Sequence, residues 1–163
     1  MEQLLNEELS SIIKQGILHY LEDFQKRING LAVSIPEITF WIRPHEYGNS
    51  MGNLIAHLTG NIRFYIGAQL ARTDYVRDRE HEFSRSRDEC RDSVMLDFND
   101  AIDLFKNVLE QQSRDDWGRP YSAMGVDDVH DHFGIILRCT MHLHHHIGQM
   151  IYIRKAINKE VNL

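Results

Sequence analysis

A cluster of histidines late in the chain is the feature of this sequence best suited to chemistry. The 163 residues include 10 histidines, and four of them fall within the segment 142–146. Residues four apart on a helix lie one turn apart on the same face, so His142 and His146 can aim their imidazoles at one point. His145 is displaced from His146 by about 100° on a helix, and we expect it to lie nearer the surface. His142 and His146 therefore form a candidate pair of metal ligands.

His57 is the candidate for a third ligand. It lies in the apolar segment 54–58, where a polar ring needs a partner. Two imidazoles alone hold a divalent ion weakly, whereas three with an open fourth position match catalytic zinc. Zinc or nickel is favoured, and iron or manganese also fits. The alternative is that these histidines are hydrogen-bonded residues of the core without a metal.

Polar neighbours of these three histidines are candidates for supporting roles. Gln149 lies about one turn beyond His146, and its amide can orient a ligand or substrate. We expect Asn61 or Tyr65 to contribute from the facing helix, and the small Ala56 and Gly60 to let another helix approach closely. Helical geometry sets His144 aside as a ligand. Five further histidines have no spacing that would pair them, and we expect them on the surface or in loops: His19, His45, His81, His130 and His132.

Four amphipathic segments must position these side chains. Apolar residues at steps of three and four predict helices over about residues 4–31, 50–71 and 87–112, and from Asp127 or Asp128 to about residue 157. Asn49-Ser50 is a suitable cap for the second helix, and Asn29-Gly30 a suitable end for the first. No segment alternates as a half-buried strand would. The predicted fold is an all-α four-helix bundle, one domain over residues 1–163.

The connections between the helices differ in character. The first contains Phe40 and Trp41, which we expect to cover one end of the core, and its length allows either an antiparallel or a crossed arrangement. The second, from Arg72 to about Arg85, interleaves arginines with acidic residues and is interpreted as a solvated connection. Residues 113–125 are predicted to form a loop because they contain several turn-forming residues.

Charge and composition exclude several classes of function. The chain has 18 basic against 24 acidic residues, a net charge of −6, which disfavours binding to a nucleic-acid backbone. Cys90 and Cys139 are isolated, so we expect free thiols in a reducing compartment. There is no glycine-rich phosphate loop or nucleophile elbow. We find neither a secretory signal nor an apolar run of about 18 residues, and we expect a cytoplasmic protein without a membrane partner.

The two histidine-bearing segments resemble a known family. The pattern His142-x-x-x-His146-x-Gly148-Gln149, together with Asn53-Leu54-Ile55-Ala56-His57-Leu58-x-Gly60-Asn61, is similar to motifs of the DinB/YfiT-like superfamily of metalloenzymes. The resemblance covers nearly the whole chain and implies a four-helix bundle with a divalent metal held by His57, His142 and His146. It further implies metal-dependent transfer involving low-molecular-weight thiols, thiol-dependent isomerisation or hydrolysis. Ile147 stands where many relatives have arginine, which leaves the substrate class open.

Two functions follow from these expectations. In the first, the protein is a metal-dependent enzyme, with a transferase favoured, in which the ion activates a thiol or water against a small-molecule substrate such as a low-molecular-weight thiol. In the second, the bundle is not catalytic, and its metal site stabilises a homodimer or a partner interface. Histidine-rich metal storage is a weaker third alternative, because only one coherent site is visible.

Overall fold

Four long helices form a bundle, and a short helix lies beside the second of them. A computed structural model describes residues 2–84 and 89–161, with side chains described for residues 7–84 and 89–159. The helices are α1 (Glu2–Val33), α2 (Met51–Ile62), α3 (Arg79–Ser84), α4 (Arg91–Gln111) and α5 (His132–Val161). No strand occurs within these described ranges. The predicted all-α bundle is therefore confirmed.

The packing of the long helices places α1 and α2 at opposite corners. Both α1 and α2 make their main contacts with α4 and α5. The connection between α1 and α2 therefore crosses the bundle, which the sequence left open. Because α2 lies directly beside α5, residues of these two helices can meet inside the bundle. None of the helices among the described residues is both long and apolar enough to span a bilayer.

The start of α2 is tightly fixed. The Ser50 hydroxyl accepts a hydrogen bond from the Asn53 backbone N–H at 3.0 Å, and the Asn53 side chain accepts one from the Ser50 N–H. This is a capping box with asparagine at its third helical position, as the predicted cap requires. Phe40 is fully buried and Trp41 packs on Gly52, whose Cα faces the indole too closely to carry a side chain. These aromatic residues cover the end of the core where α2 begins.

Two predicted helix boundaries are wrong. The first helix continues past Asn29-Gly30 to Val33, which buries Ala32 in the core. The last helix begins at His132, not at Asp127 or Asp128, because residues 120 and 131 pair in a bridge and the Asp131 carboxylate accepts the Gly134 N–H. The helix predicted over about residues 87–112 begins at Arg91 in the structure. Its expected start near residue 87 lies outside the described residues.

The second predicted helix changes type instead of running unbroken to about residue 71. From Arg63 to Ala68 it is a π-helix, and the N–H groups of Gln69 and Ala71 donate to carbonyls five residues earlier. Arg72 then adopts a left-handed φ of 61° and ends the segment. Such π-helical turns are frequent at functional sites because they turn side chains out of the regular helical register.

Candidate metal centre

The structure brings His57 of α2 together with His142 and His146 of α5. The Nε2 atom of His142 lies 3.1 Å from His57 Nε2 and 3.2 Å from His146 Nε2. One nitrogen from each residue lies within 4.8 Å of the others, and His57 and His146 are buried while His142 is half-buried. We call these three residues the histidine triad. The helical spacing of His142 and His146 and the packing of α2 on α5 are sufficient to produce it.

The outer nitrogens of the triad fix where its hydrogens lie. His57 Nδ1 is 2.8 Å from a Glu82 carboxylate oxygen, which only accepts, so Nδ1 carries the proton. His146 Nδ1 is 2.8 Å from the Gln149 amide oxygen and is assigned the same tautomer. The Nε2 atoms of His57 and His146 therefore carry a lone pair and no hydrogen. Their common neighbour, His142, can donate a hydrogen to at most one of them.

This donor set fits a divalent transition ion. Imidazole lone pairs that face one another repel unless a proton or cation lies between them, and at most one hydrogen lies among these three Nε2 atoms. Tetrahedral ligands at about 2.0–2.1 Å from an ion lie about 3.3–3.4 Å apart, close to the two Nε2 separations of 3.1 and 3.2 Å. An all-imidazole set suits zinc, nickel or iron better than the hard cations.

Glu82 and Arg77 hold His57 in place. Glu82 is only 5% exposed and accepts hydrogen bonds from Arg77 Nε at 2.7 Å and Nη2 at 3.0 Å besides the one from His57. Burial opposes ionisation of Glu82, but the hydrogen bonds from His57 and Arg77 and the Arg77 charge hold the pKa of this carboxyl below its ordinary value. The ionised carboxylate thus orients the His57 ring. Metal-binding histidines are commonly held in this way, by an acceptor at the ring nitrogen that does not bind the metal.

The burial of Glu82 shows that the charged segment before the third long helix is not simply a solvated connection. The segment from Arg72 to about Arg85 is predicted to be a solvated connection, yet residues 79–84 form α3 and bury Glu82 against α2. Gly60 was expected to let a helix approach, and α3 does approach there, because the missing side chain makes room for the Glu82 carboxylate. The only sequence signal for Glu82 is that a buried His57 ligand needs an acceptor at its second nitrogen. That signal does not say which acidic residue supplies it.

Burial lowers the basicity of the two triad histidines on α5, His142 and His146. It lowers the pKa of His142 to about 3, with further contributions from the neighbouring His146 and His57. It lowers the pKa of His146 to about 4, although the hydrogen bond with Gln149 opposes the shift. Both side chains are therefore neutral near pH 7, the state in which an imidazole binds a metal.

The other histidines lie mostly where they were expected. His145 is exposed, with its ring 3.2 Å from the Gln149 amide nitrogen, and the exposed His144 stacks on Phe24. Four more are exposed: His19, His45, His81 and His130. His132 is the exception, because it is half-buried at the start of α5 and its Nδ1 lies 3.1 Å from the Gln112 amide oxygen.

A cleft of about 720 Å³ opens beside the triad. We call it the triad cleft, and it is lined by His57 and His142 together with the expected Asn61 and Tyr65. Tyr65 is positioned by the π-helical segment, and its hydroxyl donates to the Met124 carbonyl at 3.3 Å. The triad thus has an open side on which a small molecule can approach.

The cysteines lie outside the triad. Both are free thiols, as predicted, with Cys90 exposed and Cys139 buried. Burial raises the pKa of Cys139 to about 12, so this thiol stays protonated at neutral pH. It is a poor nucleophile in that state.

Comparison with known proteins bears on the family of the chain. A search of the curated proteins finds no match. One family model, described as a protein of unknown function, matches residues 9–162. The matched range contains all three triad histidines and Glu82. Because the match covers nearly the entire sequence, the chain belongs to the DUF1572 family.

Proposed function

We propose that this protein is an enzyme that uses a divalent transition metal held by His57, His142 and His146. The observation that carries the proposal is the convergence of three Nε2 atoms at 3.1 and 3.2 Å with at most one hydrogen among them. The resemblance of the same segments to the DinB/YfiT-like superfamily supports the same three ligands. Zinc and nickel are the favoured ions.

The chemistry proposed for the site is activation of a thiol or of water. A divalent ion at the triad would lower the pKa of a coordinated thiol or water and so supply a nucleophile near neutral pH. Glu82 holds the His57 tautomer, Gln149 holds that of His146, and half-buried His142 faces the cleft. We favour a transferase acting on a small molecule such as a low-molecular-weight thiol.

The shape of the site favours catalysis over a purely structural metal. Structural zinc sites are usually closed by four protein ligands, whereas catalytic sites use three and keep a position open. Within the described residues, the triad contains three such ligands, and the cleft opens beside it. The non-catalytic alternative, in which the metal stabilises a dimer or partner interface, needs no such cleft.

Ile147 separates this chain from many members of the DinB/YfiT-like superfamily. It stands where those proteins carry arginine, and it is buried in the bundle core. Any charge that selects the substrate must therefore come from other residues.

Metal analysis combined with activity measurements tests the proposal. Protein purified without a polyhistidine tag and dialysed against zinc or nickel should retain about one equivalent of metal and should melt at a higher temperature than the metal-free form. His57→Ala should lose the metal and any thiol-transfer or hydrolase activity while keeping its helical circular-dichroism spectrum. Less than about a tenth of an equivalent in the wild type would refute the proposal. Full metal occupancy with a dimer that dissociates in His57→Ala, and no turnover, would favour the structural alternative.

A further inference from the structure

The charge of the triad cleft is opposite to that of the whole chain. The protein has a net charge of −6, yet the cleft lining includes Arg77, Arg79 and Arg138 and no aspartate or glutamate among the described residues. Arg77 contributes little net charge because Glu82 binds it through two hydrogen bonds. Arg79, and Arg138 with its solvent-exposed carboxylate partner Asp128, are therefore the cleft arginines left to bind an anion.

Arg138 is placed beside the triad by helical spacing. It precedes His142 by four residues on α5 and so lies on the same face, about one turn away. Its Nη1 lies 3.1 Å from each carboxylate oxygen of Asp128. The two side chains are 41% and 71% exposed, and exposed pairs of this kind contribute at most about 1 kcal/mol. The Arg138 side chain can therefore leave Asp128 and bind an anion in the cleft at little cost in free energy.

Arg79 approaches the triad from α3. Its guanidinium lies 5.5 Å from the centre of the Phe83 ring, and the Phe83 ring lies 5.0 Å from the ring of His57. No hydrogen bond joins the Arg79 side chain to any described residue. Its donors are therefore available, one aromatic ring away from the triad.

The rest of the cleft wall is largely aromatic and apolar, with Phe64, Tyr65 and Met124 among its lining residues. We propose that the triad cleft binds a small organic anion, whose carboxylate or phosphate group is held by Arg79 and Arg138 and whose apolar body packs on this wall. The two parallel N–H donors of an arginine fork can bind two oxygens of either group. The inference rests on the proposed function, because it names the substrate class of that same site.

Binding of simple anions measures the inference directly. Isothermal titration calorimetry would compare benzoate, phenyl phosphate and neutral benzamide, each with metal-free and with zinc-loaded protein. We expect both anions to bind about tenfold or more tightly than benzamide, and the tighter of the two identifies carboxylate or phosphate as the preferred group. Arg79→Gln and Arg138→Gln should each weaken the anions by about 3–10-fold and leave benzamide unchanged.

Arg27→Gln is the matched control. Arg27 is 40% exposed and pairs with an aspartate, as Arg138 does, but it lies on α1 and does not line the triad cleft. Its variant should bind the anions within about twofold of wild type. Equal affinity for the anions and for benzamide would overturn the inference. Anion binding that requires zinc and is unchanged in Arg79→Gln and Arg138→Gln would overturn it as well. Because the metal-free protein is titrated too, a triad that takes up no metal would refute the proposed function without deciding this inference.

Discussion

Glu82→Gln changes one atom of the group that orients His57. Glutamine keeps the size of the side chain but offers one acceptor oxygen and an amide NH₂ in place of two acceptors. Glu82 accepts three hydrogen bonds, at 2.8 Å from His57 and at 2.7 and 3.0 Å from Arg77. The shortest of these bonds joins Arg77 Nε to Oε1, whereas Arg77 Nη2 and His57 Nδ1 share Oε2. We expect the amide oxygen to stay with the charged Arg77 Nε, which places the NH₂ at the Oε2 position, facing His57 Nδ1.

The expected consequence is a change of tautomer at His57. An NH₂ beside Nδ1 favours the imidazole that has its lone pair there and its hydrogen on Nε2. That hydrogen points into the triad, where it blocks binding of an ion. Loss of such an orienting group weakens metal affinity by about 10–100-fold, which corresponds to about 1.4–2.7 kcal/mol.

The assay is competition for zinc with a chelating indicator at pH 7.5, using untagged protein. Glu37→Gln is the control, because Glu37 pairs loosely with Arg91 at 3.7 Å and is 57% exposed; its zinc affinity should equal that of wild type. Glu82→Asp keeps the charge and should lose less affinity than Glu82→Gln. Zinc affinity of Glu82→Gln within about twofold of wild type, with the fold intact, would refute the proposed role of the carboxylate.

The remaining predictions concern ligand choice, pH and packing. His146→Ala should abolish stoichiometric metal binding in inductively coupled plasma analysis, whereas His144→Ala should keep it; equal loss in both would assign the binding to the dense histidine run. In the metal-free protein the pKa values of His142 and His146 are lowered from 6.5 to about 3 and about 4. Protonation therefore favours the unfolded chain, and the free energy of unfolding should be highest above pH 6.5 and fall as the pH drops toward 4; urea melts that show no loss between pH 7.5 and 4.5 would contradict this. Gly60→Ala places a methyl group against the buried carboxylate and should destabilise the protein by about 1–3 kcal/mol in urea. Gly16→Ala, where a methyl group meets nothing within 4 Å, should be neutral or stabilise by up to about 1 kcal/mol, and a similar loss in both variants would contradict the packing argument.

The parts of the site that depend on local periodicity could be predicted. The spacing of His142 and His146 places both on one face of α5, and the apolar surroundings of His57 indicate a buried ring in α2. Ser50 caps α2 as its side-chain chemistry suggests. These features need only helical geometry and the choice of apolar or polar residues at each position.

The parts of the site that depend on contacts between residues distant in sequence could not be predicted. Glu82 reaches His57 across 25 residues, and nothing in its own segment distinguishes it from the solvated acidic residues around it. The π-helix from Arg63 to Ala68 contains Gly67, where a side chain would crowd Leu104 of α4. In both cases the contacting residue lies far away in the sequence, so a pattern confined to one segment does not show it.

The most direct test of the histidine triad is an anomalous difference map from crystals of the untagged protein loaded with zinc, recorded on both sides of the zinc absorption edge. We predict one strong peak, about 2.0–2.1 Å from the Nε2 atoms of His57, His142 and His146, with the triad cleft on its open side. A map without a peak at this position, or with zinc bound only by His144 and His145 on the surface, would contradict the assignment.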